Sequence, residues 1–176
     1  MLANMFSLAG KRGIVTGASR GLGRAMAEGL ASMGADIVIA ARTAPTLEEA
    51  AHELSRHGGR IVPVAADVAN DDDLRLLAER TVSEFGGIDF VFANAGVIRR
   101  GPAESLSVED FDEVFRVNVH SLFVLGQLGA RDMIRRECGG SIVMTDSVVS
   151  MTGGRNIAAY ASSKGAVRML VKAMAN

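Results

Sequence analysis

Apolar residues along the chain fall into two alternating rhythms. Short unbroken runs rich in Val, Ile and Ala each give way to a longer segment in which apolar positions recur every three or four residues. The first rhythm is that of strands buried on both faces, the second that of helices with one buried face. The strand-like runs are Gly13–Thr16, Asp36–Ala41, Arg60–Asp67, Ile88–Ala93 and Ser141–Thr145. Helical spacing follows each of them. It is carried by Met26, Ala27, Leu30 and Ala31, then by the segment through Leu54 to His57, then by Leu74, Leu77 and Val82. A long helix follows with Phe111, Val114, Phe115, Val119, Leu122 and Leu125, and a last one from Ala158 carries Val167, Leu170, Val171 and Met174. Five such units predict an α/β fold with a doubly wound parallel sheet, Rossmann-like, spanning residues 1–176 as one domain.

Punctuation residues set the boundaries. Gly34 stops the first helix, and Thr46 with Glu49 reads as a capping box opening the second. Gly58-Gly59 ends that helix. Asn70 caps the third, whose first turn holds Asp71, Asp72 and Asp73, and Ser107 caps the long one. Pro63 removes a ladder donor and points to an edge strand. The sequence stops at Asn176 within a helix that no strand follows, which leaves the fifth strand as an edge. Either the chain is a portion of a longer protein, so that the fold lacks its last strands, or association covers that surface; the first is the expectation.

Composition narrows the classes. The chain is 48% hydrophobic with no Trp and one Tyr, so its core is aliphatic. A net charge of −1 without a block of like charges argues against nucleic acid or an anionic membrane as partner. The single Cys138 cannot form an internal disulfide, and no signal pattern or apolar run near 18 residues is present, so a cytoplasmic location is expected. His52, His57 and His120 lack metal-ligand spacing, and no metal site is expected.

Two motifs carry chemistry. In Thr16-Gly17-Ala18-Ser19-Arg20-Gly21-Leu22-Gly23 a strand turns through glycines straight into a helix, the pattern that presents free N–H groups to a pyrophosphate. At the other end, Tyr160 and Lys164 stand four residues apart on one helical face, and Ser147 ends the fifth strand. A cation beside a phenol favours its phenolate and suits it to exchange protons with an alcohol or carbonyl.

Taken with Asp67-Val68, Asn94-Ala95-Gly96 and Asn118, in this order and spacing, these motifs resemble the short-chain dehydrogenases/reductases over essentially the whole chain. The resemblance implies a dinucleotide-binding oxidoreductase domain that moves a hydride between NADP(H), or NAD(H), and a secondary alcohol or ketone. It implies Tyr160 as acid/base and Ser147 as the residue orienting the substrate oxygen. Lys164 would favour the phenolate and bind the nicotinamide ribose together with Tyr160, while Asn118 would hold a water in a proton relay. Gly17, Ser19, Arg20, Gly21, Leu22 and Gly23 would bind the pyrophosphate side. Asp67 and Val68 would meet the adenine, and Asn94, Ala95 and Gly96 would pass the adenosine. The same likeness implies a homodimer or homotetramer packed through the long helix and the helix from Tyr160.

Three departures stand out: Ala93 where a second Asn is common, Asp146 before Ser147, and the end of the chain ahead of the family's later nicotinamide and substrate segments. The second strand ends Ala40-Ala41-Arg42, without the acidic residue that would bind a free ribose hydroxyl. With Arg20, this favours NADP over NAD. Phe6-Ser7-Leu8, Asp36-Ile37-Val38, Gly96-Val97-Ile98-Arg99-Arg100 and Gly153-Gly154 are similar to the sugar-acid branch, the 2-deoxy-D-gluconate 3-dehydrogenases and gluconate 5-dehydrogenases. Arg99 and Arg100 read first as a solvated loop pair and second as a lure for an anionic substrate. The competing readings are a 3-oxoacyl-carrier-protein reductase and, from another class, a nucleotide-binding fragment without catalysis.

Overall fold

The computed structural model of the chain describes residues 6–176; residues 1–5, part of the stretch read for a signal pattern, lie outside them. Five strands, β1 (Arg12–Thr16), β2 (Asp36–Ala41), β3 (Ile61–Ala65), β4 (Phe90–Ala93) and β5 (Ser141–Met144), form one parallel sheet in the order β3-β2-β1-β4-β5. The chain winds outward from β1 to β3 and returns to lay β4 against the other side of β1. Their C-terminal ends therefore flank the point where the winding reverses, the position at which open sheets of this kind bind ligands. β3, with Pro63, is an edge as expected, and β5 is the other.

Side chains leave each strand to alternate faces, which divides the core in two. Val15, Ile37 and Ile39 pack with α1 (Gly21–Ser32) and α2 (Ala44–Leu54) through Ala27, Ala31, Leu47 and Leu54. Ile14, Val38, Ala40 and Val91 face the other layer, made by α3 (Asp71–Phe85), α5 (Ser121–Arg135) and α7 (Ala158–Ala175), through Leu74, Leu77, Leu122, Leu125 and Val167. A short helix, α6 (Val149–Thr152), which the periodicity does not predict, turns the chain after β5.

Most of the punctuation holds. Asn70 Oδ1 accepts the N–H of Asp72 at 2.8 Å, and Ser107 Oγ accepts that of Asp110 at 3.1 Å. The capping box does not. α2 starts at Ala44, with Pro45 in its first turn, where a missing N–H costs nothing. Thr46 is already inside the helix, its hydroxyl donating to the Thr43 carbonyl at 3.1 Å. The long helix is also not one α-helix. α4 (Val108–Phe115) passes into a π-turn over Arg116–His120 before α5 begins, and the Ser121 N–H bonds the Arg116 carbonyl five residues back.

At the N-terminal ends of the strands a charged network ties the layers together. Asp89 accepts from the Arg12 N–H at 3.1 Å, from Arg12 Nε at 3.2 Å and from Arg136 at 2.7 Å. Asp132 accepts from the Ile88 N–H and from Arg136 Nε, both at 2.8 Å. Burial works against charge on both carboxylates, but these donors outweigh it and hold both below the usual carboxylate range.

Candidate active site

The opposite ends of the strands are joined by a relay of hydrogen bonds. Thr16 Oγ1, at the end of β1, accepts the N–H groups of Asn94 and Ala95 at 3.1 Å each, and Asn94 Nδ2 donates to the Thr16 carbonyl at 3.1 Å. Thr145 Oγ1, after β5, donates to Asn94 Oδ1 at 3.1 Å. The Thr145 carbonyl in turn accepts from Lys164 Nζ at 2.6 Å. Three strand ends and α7 thus share one polar seam.

The glycines at the head of α1 answer to backbone conformation at Gly17 and Gly21 and to lack of space at Gly23. Gly17 has φ +67°, in the left-handed region. A Cβ on Gly23 would lie 2.3 Å from the Gly17 carbonyl oxygen and 2.5 Å from Asn94 Nδ2. The helix they open has no side-chain cap and no acidic residue in its first turn, so its N–H groups and positive end are left for an anion. Beside it lies a cleft of about 600 Å³. Gly17, Ser19, Arg20 and Gly21 form one wall, and Asn94, Ala95 and Gly96 the floor. Arg42, Asp67 and Val68 stand on the far side.

Four of the expected cofactor contacts are absent from that lining: Leu22, Gly23, Tyr160 and Lys164. Leu22 turns its side chain outward, 68% exposed, and Gly23 is buried beneath the turn as a spacer. Sequence reasoning in turn missed Thr43, Thr46 and Glu49, which bring the start of α2 into the wall; misplacing that helix start hid them. Arg20 and Arg42 are exposed and form no ion pair among the described residues, whereas their neighbour Arg24 is taken by Glu53. Asp67 accepts the Ala69 N–H at 3.0 Å, which orients its carboxylate at the mouth. The pieces that a dinucleotide needs, an uncapped helix start, a glycine turn too tight for a Cβ and two uncommitted cations, fit the group.

The second cluster lies just outside this cleft. Lys164 is 3% exposed, with Nζ 5.8 Å from the centre of the Tyr160 ring. Burial lowers its pKa from the usual lysine value, and the charge of Asp146 opposes the change. Ser147 and Tyr160 are half-buried, and Ser147 Oγ makes only a long contact, 3.4 Å, with the Val149 N–H. Asn118 lies in the π-turn, fully buried. Its Oδ1 accepts the Val97 N–H at 2.8 Å, and its Nδ2 donates to the Val97 carbonyl at 2.9 Å and to Ser163 Oγ at 3.1 Å. It therefore pins the loop after β4 to α7. Arg99 is engaged by Glu113 at 2.6 Å and Asp110 at 3.3 Å, so of the loop pair only Arg100 remains exposed and unpaired among the described residues.

The sequence profile of the family described as short chain dehydrogenase matches residues 11–176. The chain belongs to the short-chain dehydrogenase family. As a short-chain dehydrogenase it is an NAD(P)-dependent oxidoreductase with the doubly wound fold, as the motifs lead one to expect. It is 39% identical over 176 residues to a 2-dehydro-3-deoxy-D-gluconate 5-dehydrogenase of Escherichia coli K12, covering all of this chain and 69% of that one. It is 40% identical over 172 residues to a gluconate 5-dehydrogenase of Gluconobacter oxydans 621H, covering 98% and 67%. Among solved structures, a Beutenbergia cavernae protein assigned as an NAD(P)-dependent gluconate 5-dehydrogenase carries bound NADP. It superposes with a TM-score of 0.89 at 40% identity over 97% of this chain and 67% of its own. The resemblance to the sugar-acid branch is borne out. No helix among the described residues is long and apolar enough to cross a membrane.

Proposed function

We propose that this short-chain dehydrogenase binds NADP(H) in the glycine-lined cleft and interconverts the secondary alcohol and ketone of a sugar acid. The observation that carries the reading is the seam from the cleft floor to α7. Asn94 is shared by both, and the Lys164–Thr145 bond holds the Tyr160 helix against the strand end that leads into Ser147. In this reading Gly17, Ser19, Arg20 and Gly21 hold the pyrophosphate, while Leu22 offers only its backbone and Gly23 makes room beneath the turn. Arg42 and Arg20 take the 2′-phosphate, because their guanidiniums are free to pair with it. Asp67 and Val68 receive the adenine, Asn94 to Gly96 the adenosine side, and Tyr160 with Lys164 the nicotinamide ribose. When bound, the cofactor supplies or accepts the hydride.

The rest of the chemistry belongs to the chain. Ser147 donates a hydrogen bond to the substrate oxygen and fixes it near Tyr160. In reduction the Tyr160 hydroxyl gives its proton to that oxygen; in oxidation the phenolate takes the proton back. The Lys164 ammonium stabilises the phenolate between these events. Asn118 holds Val97 and Ser163 in register on either side, and its Oδ1 keeps a second lone pair for a relay water. Arg100 faces the carboxylate of the substrate. The apolar groove formed by Phe115, Val119 and Phe123 with Leu170 of α7 is the proposed seat of a second copy, giving a dimer or tetramer. A cytoplasmic location fits the unpaired Cys138.

Tyr160→Phe tests the assignment. Turnover of a gluconate panel should fall by about 10²- to 10⁴-fold, while an NADPH fluorescence titration stays close to that of the unaltered chain. A variant that keeps turnover would sink the proton role.

A further inference from the structure

Asp146 sits between two residues of the proposed machinery. It follows Thr145, whose carbonyl takes Lys164 Nζ at 2.6 Å, and precedes Ser147. Its carboxylate is in no ion pair among the described residues; Oδ2 accepts the hydroxyl of Ser150, in α6, at 2.9 Å. Lys164, at 3% exposure, has lost most of its water. An ammonium in that position is disfavoured unless an opposite charge answers it. The other charged groups on the elements around α7 are committed elsewhere. Asp110 and Glu113 of α4 are held by Arg99, and Arg116 and His120 of the π-turn by Asp71. Glu109 and Asp112 point to solvent, and α6 carries no charge. On α7 itself Tyr160 and Arg168 stand one turn before and one turn after Lys164; the Tyr160 ring centre lies 5.8 Å from Nζ, and Arg168, half-buried and in no ion pair among the described residues, adds a like charge.

We propose that Asp146 is a positioning residue of this site: its carboxylate, steadied by Ser150, keeps Lys164 an ammonium and so fixes it between the Thr145 carbonyl and the Tyr160 ring. The inference rests on the proton chemistry proposed for Tyr160 and Lys164. Burial works against the Lys164 charge and the field of Asp146 works for it, in line with the geometry. The sign follows directly. Removing a negative charge makes proton loss from Lys164 easier, so the ammonium is given up at lower pH.

The chain has three lysines, Lys11, Lys164 and Lys172, so ¹³Cε-labelled lysine resolves each in an NMR pH titration without any turnover. The Lys164 midpoint should fall by about 0.5 to 1 pH unit in Asp146→Asn and stay within about 0.2 in Asp146→Glu, with the alkaline limb of kcat/KM moving alike. Raising salt to about 1 M should lower the unaltered chain's midpoint and leave the Asn variant's where it is. An unmoved midpoint in Asp146→Asn overturns the proposal. Equal falls in the Asn and Glu variants also overturn it, because they point to shape instead of charge. Failure of the underlying reading is seen separately, as Tyr160→Phe keeping its activity whatever Lys164 does.

Discussion

Gly23 shows how little room single residues have at this site. Its Cβ position is occupied by the Gly17 carbonyl and the Asn94 amide, neither of which can yield without opening the turn. Gly23→Ala should destabilise the chain by about 1 to 3 kcal/mol in urea denaturation and abolish NADPH binding in the same fluorescence titration. A variant that binds normally would show the turn to be dispensable. The sequence makes the glycine turn and the Tyr160–Lys164 pair legible because both depend on local spacing. It does not disclose that Lys164 reaches the Thr145 carbonyl, since that contact depends on how deeply α7 settles against the end of β5. Nor does it disclose that Arg99 is neutralised by α4, because Glu113 lies fourteen residues further on across a loop.

Elements differ in how openly they announce themselves. The caps at Asn70 and Ser107 are legible because a side-chain oxygen beside the first helical N–H groups is a local contact. The start of α2 is not, because a capping-box spelling competes with a proline that does equally well one turn earlier. The π-turn is hidden altogether: the apolar spacing of Phe111 to Leu125 reads as one helix, and one wide turn changes it too little to notice. Within that turn Asn118 satisfies both backbone groups of Val97 from a fully buried position. Asn118→Ala would orphan them, at a cost of about 1 to 3 kcal/mol for the unpaired groups. Amide exchange at Val97 should accelerate in step; unchanged exchange would mean that another group takes over the bond.

At the scale of the whole molecule the two ends of the sheet divide the labour. The C-terminal ends carry the cleft and the polar seam, and the N-terminal ends carry the network of Arg12, Asp89, Asp132 and Arg136. Both carboxylates ionise more readily in the folded chain than unfolded, so their contribution is complete above the ordinary carboxylate range and is lost as pH falls through the folded values. The urea midpoint should hold from about pH 7 to 5 and drop below about pH 4. Asp132→Asn should lower the midpoint at neutral pH and flatten that acid drop. A variant as acid-sensitive as the unaltered chain would assign the loss to other groups. The doubly wound architecture and the two edges are legible in advance because run length, Pro63 and the βα alternation restrict the winding; the strand order is not, since more than one right-handed winding remains.

The π-turn at Arg116–His120 also bears on which changes of length the chain can accept. A π-turn holds one residue more than the α-turn it replaces, so a single deletion in this stretch can close it to an ordinary α-turn and leave the face that α5 presents to the sheet nearly unchanged. The same deletion inside α5, where each residue advances about 100°, would swing Leu125 off the sheet. A one-codon loss should therefore be better tolerated at the π-turn than a few residues further on, and the surplus residue acts as slack between the cofactor floor and the layer behind it.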